Sequence, residues 1–390
     1  MAAGTVRSKS SALSFYIHIP YCVKRCGYCD FNTYTPAELK VESSLTEISH
    51  NYIDLLVEEI SMARAQSDAT TVPTIFFGGG TPSLMEPTDL AKVISAISST
   101  FTLDEECEIT MEANPDTLTL DRLRGYREAG INRISIGMQS AVPHVLAVLD
   151  RTHNPANIEK VVGWAREVGF TEISLDLIYG TPGESMADWE KSIDTALALD
   201  ITHISAYALI VEDGTKLAAQ VRRGEITIPD DDETADKYLL ADNKFRAAGF
   251  DWYEISNWSK PGSSCKHNVA YWKGANWWGA GPGAHSHIDG RRWWNVKHPT
   301  AYRERIAQKA SPMHEEEFLK SDEIAREEIM LSLRLPGVLV LDEFSQEARS
   351  ALDTFFAQGH FEVGPWEVGR LTLTQSGRLI ADRIVRELVV

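Results

Sequence analysis

Five short runs of β-branched and aromatic residues, at positions 74–77, 108–112, 133–136, 171–176 and 203–207, are each followed by a longer stretch with apolar residues at helical spacing. Residues 15–19 add a sixth, earlier run of the same kind. Strands alternating with helices in this way predict parallel βα units. Six units predict an α/β fold built on an open, partial (βα)6 TIM-like barrel rather than a closed eight-stranded one. In such a sheet, ligands bind at the carboxyl ends of the strands.

The pattern breaks near residue 251. Seven of the ten tryptophans, Trp252, Trp258, Trp272, Trp277, Trp278, Trp293 and Trp294, crowd together here among Gly, Asn and His. Residues 251–311 therefore read as an elaborate loop region. Over 312–390 the pattern turns to helices, then to Leu371-Thr372-Leu373-Thr374, a break at Gly377, and a last helix with Leu379, Ile380, Ile384 and Leu388 on its apolar side. That order predicts a small winged-helix-like α+β domain. The barrel is assigned to residues 14–250 and a polar tail to 1–13.

Charge narrows the partners. The formal net charge of -18 repels polyanions, which argues against a nucleic-acid partner. From residue 312 onward, eight Lys/Arg face fifteen Asp/Glu, so the last domain reads as a substrate lid or protein-docking module and not as a DNA-binding winged helix. No apolar run approaches the length of a membrane span, and the first fourteen residues hold no apolar signal core. A cytoplasmic location is expected, with membrane association limited to peripheral docking.

The chemistry starts at Cys22, Cys26 and Cys29, which follow a predicted strand directly. Three thiolates on one loop can hold three irons of a [4Fe-4S] cube and leave the fourth iron open. A closed zinc site wants four ligands, and Cys107 and Cys265 are solitary and far away in sequence. An odd total of five cysteines argues against a disulfide framework.

Other polar residues fall at predicted strand ends. Gly78-Gly79-Gly80-Thr81-Pro82 permits close approach of a small ligand to backbone, although glycines before a Thr-Pro helix start are also a common turn. Glu112 can accept from ribose hydroxyls, and Tyr16 can stack near an adenine or simply fill core. Gln139, Arg151 and Asp176 stand near the mouths of successive units. In His267-Asn268-Val269-Ala270-Tyr271-Trp272, an imidazole sits among tryptophans. Such a setting suits a porphyrin with His-ligated iron, and equally a hydrogen-bonded structural histidine.

The segment Tyr16 to Phe31, the Gly78 turn, Glu112, Gly130-Ile131-Asn132-Arg133-Ile134-Ser135-Ile136-Gly137-Met138-Gln139-Ser140, Asp176-Leu177-Ile178-Tyr179-Gly180-Thr181-Pro182-Gly183 and the His267 motif occur in this order. Together they resemble the radical S-adenosylmethionine (SAM) family of oxygen-independent coproporphyrinogen III dehydrogenase and its HemW-type haem chaperone relatives. The resemblance covers nearly the whole chain. It implies a radical SAM barrel in which Cys22, Cys26 and Cys29 hold the cluster. Tyr16, Tyr28, Gly79 and Glu112 match contacts of the cluster-bound SAM. Gly80, Thr81, Gln139, Arg151, Asp176 and Ala208 match positions around a second SAM in the dehydrogenase. His267, Asn268, Tyr271 and Trp272 match the haem-binding motif, with His267 the candidate for contact with iron.

Two departures separate the branches. Phe31 stands where the dehydrogenase pattern has a further cysteine, and Tyr16 comes without the long preceding segment of that enzyme. The expected function is haem binding and transfer to haem-accepting proteins. The alternative is oxidative decarboxylation of coproporphyrinogen III by radical SAM chemistry.

Overall fold

The computed structural model describes residues 11–40 and 45–389. Six parallel strands lie side by side in chain order: β1 (Ser14–Ile19), β2 (Thr71–Gly79), β3 (Thr102–Ala113), β4 (Arg133–Gln139), β5 (Glu172–Tyr179) and β6 (His203–Ala208). Period-two patterning sets their faces. On β1, Phe15, Ile17 and Ile19 are fully buried against the helical layer, which leaves Tyr16 and His18 to the inner surface. The covering helices follow the 3.6-residue repeat: Leu90, Val93, Ile94 and Ile97 are the buried stripe of Pro87–Thr100, and Ile158, Val161, Val162 and Ala165 that of Asn157–Glu167.

The tryptophan-rich segment is not the loop region that its composition suggests. It supplies β7 (Asp251–Glu254) and β8 (Asn257–Ser259), antiparallel beyond β6, and β9 (Trp277–Ala280), β10 (His285–Ile288) and β11 (Arg291–Asn295) beyond β1. Strand β9 runs parallel to β1, and β10 and β11 return antiparallel. Adjacent tryptophans conceal the alternation. Trp278 and Trp293 go to the core, edge to face at 5.2 Å, while Trp277 and Trp294 stay half-buried on the opposite surface.

A twelfth strand, β12 (Met313–Phe318), pairs with β11 where helix was expected. Its consecutive glutamates are held by cross-strand arginines, Arg291 to Glu316 at 2.8 Å and Arg292 to Glu317 at 3.5 Å. The barrel sheet thus runs past the expected boundary at 312. At the other end, residues 1–10 lie outside the described residues. The expected tail does not extend to 13, because Leu13 is fully buried and donates to the Thr71 carbonyl at 3.0 Å.

The C-terminal unit has its own core, including Leu339, Leu352, Phe355, Phe361, Leu371 and Ile384. Isolated bridges join Val340 to Arg370 and Phe361 to Leu373. Gly377 does not break the chain but lies inside the helix Gln375–Leu379, because Thr374 caps it by accepting from the Gly377 amide at 3.2 Å. Among the described residues, no helix is long and apolar enough to cross a membrane.

Candidate functional site

The cysteine loop lies across the carboxyl ends of β1 and β2. The Gly80 amide donates to the Ile19 carbonyl at 2.7 Å and the Thr81 amide to the Tyr21 carbonyl at 2.9 Å. Thr81 Oγ1 donates to Cys22 Sγ at 3.6 Å, and Arg151 Nη1 to Cys26 Sγ at 3.6 Å. All three cysteines are free thiols. Burial pushes Cys22 up to about 11 and raises Cys29, and the neighbouring sulfurs add to both shifts. Among the described residues, no three His, Cys, Asp or Glu side chains converge as ligands of one ion. A cube takes each thiolate on a different iron and needs no such convergence.

Beside this loop opens a cavity of about 530 Å³ whose wall includes Tyr16, Gly79, Glu112 and Tyr271. Gly79 has φ of 110°, and a Cβ there would come within 2.5 Å of the His18 ring. Its amide donates to Glu112 Oε2 at 3.0 Å. Burial and then the Asp176 carboxylate push Glu112 up to about 8, while the Gly79 hydrogen bond pulls it down. Burial also raises Tyr28.

Gln139, Arg151 and Asp176 form a second group over β4 and β5. Gln139 ends β4 with φ of 61°. Arg151 Nη2 donates to the Gly137 carbonyl at 2.9 Å, and Arg151 Nε is buried without a hydrogen-bond partner. Asp176 is not at the strand end, because β5 continues to Tyr179; it accepts from Ser135 Oγ at 2.8 Å. Burial raises Asp176, against hydrogen bonds from Ser135 and Ser205 and the charges of Arg133 and Arg151. Ala208 ends β6 opposite Tyr179.

The helix Lys266–Trp272 closes the barrel from the opposite end. The amides of Lys266 and His267 donate to the two oxygens of buried Glu108, each at 2.9 Å. His267 is buried, with Nδ1 at 2.7 Å from Thr74 Oγ1 and Nε2 at 2.9 Å from Tyr271 Oη. Thr74 in turn donates to Ser14 Oγ at 2.8 Å, so its oxygen accepts from Nδ1–H and Tyr271 donates to Nε2. Burial takes the imidazole down to about 3, so it is neutral. Both nitrogens of His267, the residue expected to contact haem iron, are thus engaged in hydrogen bonds inside the protein. Tyr271 reaches the cavity; Asn268 turns to Tyr253 Oη at 3.4 Å, and the Trp272 indole carries Arg334 over its face at 5.4 Å.

Sequence reading missed the wall opposite Glu112. Trp277 on β9, His285 and His287 on β10, and Arg292 on β11 share the inner surface with Tyr16 and His18. The register pairs His287 with Trp277 and His285 with Trp294. The alternation His285-Ser286-His287-Ile288 was the available signal, hidden because the region read as loop.

Six parallel strands ending in a three-cysteine loop over a glycine-lined cavity define a radical SAM protein, and the Radical SAM superfamily model matches residues 16–196. The fold is similar to that of coproporphyrinogen III oxidase (HemN) from Escherichia coli, described as a radical SAM enzyme, with a TM-score of 0.80 over 99% of this chain and 92% of that one at 21% identity. Similarity extends to "Heme chaperone HemW" of Mycobacterium tuberculosis, 46% identical over 374 residues, covering 96% of this chain and 94% of that protein. The Bacillus subtilis heme chaperone HemW is 36% identical over 344 residues, covering 88% and 89%. The chain belongs to the heme chaperone HemW family.

Proposed function

We propose that the protein is a haem chaperone that carries a SAM-ligated [4Fe-4S] cluster and passes haem to acceptor proteins. The observation that carries this reading is the span of the likeness to heme chaperone HemW, 374 residues that include both the barrel and the C-terminal unit. Cys22, Cys26 and Cys29 would hold three irons, with SAM on the fourth. Free thiols on one loop fit this role, as do the Thr81 and Arg151 donors on two sulfurs and an Arg151 Nε left without a partner. When bound, cluster and SAM supply one-electron chemistry at the sulfonium.

The chain's own residues divide the remaining work. Tyr16, Tyr28, Gly79 and Glu112 hold the cluster-bound SAM, with Glu112 fixed by the Gly79 amide. Gly80, Thr81, Gln139, Arg151, Asp176 and Ala208 offer ground for a second SAM. Haem takes the aromatic wall, where Tyr271 touches it and His267 fixes the Tyr271 hydroxyl from behind, while Asn268 and Trp272 anchor the same short helix through Tyr253 and Arg334. The acidic, winged-helix-like C-terminal unit serves as lid or docking surface for acceptor proteins, in a cytoplasmic setting and without nucleic acid.

Anaerobic reconstitution tests this. The reading expects iron and sulfide on the protein, haem binding by absorbance titration, and no turnover of coproporphyrinogen III. Formation of protoporphyrinogen over many turnovers would replace it with the decarboxylase reading.

A further inference from the structure

The cavity wall carries three histidines, His18, His285 and His287, and the floor behind Tyr271 carries His267. Their hydrogen bonds separate them. His18 is tied by Nδ1 to Tyr16 Oη at 3.0 Å and by Nε2 to the Asn32 carbonyl at 2.9 Å. His287 gives Nδ1 to the Ala275 carbonyl at 3.1 Å and accepts from the Gly290 amide on Nε2 at 3.2 Å. His267 is engaged at both nitrogens, as described above. Iron requires a nitrogen lone pair, so each of these rings would have to surrender a protein hydrogen bond first.

His285 differs. It is exposed, and among the described residues neither ring nitrogen has a hydrogen-bond partner. Its ring is nevertheless held, stacked on Trp294 at 5.6 Å with planes 23° apart. Trp277 Nε1 donates to the His285 carbonyl at 2.9 Å, which fixes the backbone beneath it. The imidazole is thus positioned by packing alone, with its lone pair available.

The charges around it suit an anionic macrocycle. Lys297 adjoins the same cavity wall, its carbonyl accepting from the Nδ2 of cavity-lining Asn32 at 2.9 Å, and with Glu317 it bears electrostatically on the His285 ring. Arg292 is already neutralised by Glu317 and Glu327, whereas Lys297 is exposed and has no ion pair among the described residues. An exposed ammonium on a residue adjoining this wall can pair with a propionate of a porphyrin whose iron the available imidazole meets.

We propose that His285, rather than His267, supplies the iron ligand for haem, with Lys297 pairing one propionate. This rests on the haem reading above. The test is titration of ferric haem into the full-length, cluster-reconstituted protein, read by the Soret band and by electron paramagnetic resonance. His285→Ala should lose the imidazole-ligated signature and weaken binding by about tenfold or more. Added imidazole should restore the signature, because the residue is exposed and its removal leaves the fold intact by circular dichroism. Lys297→Ala should keep the signature and weaken binding by a smaller factor. His267→Ala should lower thermal stability while its folded fraction keeps the signature. A folded His285→Ala with an unchanged spectrum, or loss of the signature in folded His267→Ala alone, overturns the assignment while leaving haem binding standing. A wild-type protein that takes up no haem overturns the haem reading itself.

Discussion

The Gly79 amide donates to the Glu112 carboxylate at 3.0 Å, joining the ends of β2 and β3 at the cavity wall. This bond orients a carboxylate that burial and Asp176 push up to about 8. The ionised form is the better acceptor for ribose hydroxyls and the better counter-charge for a sulfonium. SAM affinity should therefore rise as pH increases through about 8. In Glu112→Gln that pH dependence should vanish and affinity should fall about tenfold. Anaerobic equilibrium dialysis across the pH range checks both outcomes.

Gly80 has no room for a side chain. A Cβ would lie 2.6 Å from the Tyr21 carbonyl oxygen and 2.8 Å from that of Ile19, both backbone atoms of the strand-to-cysteine connection. Gly80→Ala should cost about 1–3 kcal/mol in thermal or denaturant unfolding. Because the connection that must move carries Cys22, iron and sulfide content after reconstitution should drop as well.

The parallel half of this architecture was legible because buried parallel strands are near-continuous apolar runs and their ends carry the polar residues. Tyr16, Gly79 and Glu112 could be placed that way, and they share one cavity. The edge beyond β1 was not legible. Trp277-Trp278 and Trp293-Trp294 put one indole on each face, so hydropathy shows no alternation. Glu315-Glu316-Glu317 reads as solvated helix until Arg291 and Arg292 are known to lie opposite. The role of His267 was illegible for another reason. Its partners Thr74 and Ser14 are distant in sequence, and a motif cannot reveal whether a ring nitrogen is already taken.

A buried carboxylate away from the cysteines sets a stability slope. Glu59 accepts from the Gly281 amide at 2.7 Å, Tyr302 Oη at 2.5 Å and Asn295 Nδ2 at 2.7 Å. Burial outweighs these bonds and pushes Glu59 up to about 7. Its folded value lies above the unfolded one, so its contribution is full below the unfolded value and is lost as pH rises through about 7. Between these limits the wild type should lose stability relative to Glu59→Gln by up to about 1.4 kcal/mol per pH unit. Urea denaturation of both proteins at several pH values measures the difference.

The C-terminal unit is fastened to the barrel through a buried ion pair. Arg378 donates to Asp242 Oδ1 at 2.8 Å and Oδ2 at 2.7 Å, and Trp258 Nε1 adds a bond to Oδ1 at 2.8 Å. Arg378→Ala strands the carboxylate and should cost about 3–5 kcal/mol. Replacing both partners, as Arg378→Met with Asp242→Leu, should cost less than the single change. Chemical denaturation of the two variants gives the comparison.

A haem chaperone must both take up haem and hand it on. Haem-loaded, cluster-reconstituted protein mixed anaerobically with an apo-haem protein, with and without SAM, tests it most directly by following the acceptor's Soret band. The acceptor should gain haem at the expense of this protein, and SAM should change the rate. Haem that stays bound, with or without SAM, would contradict it.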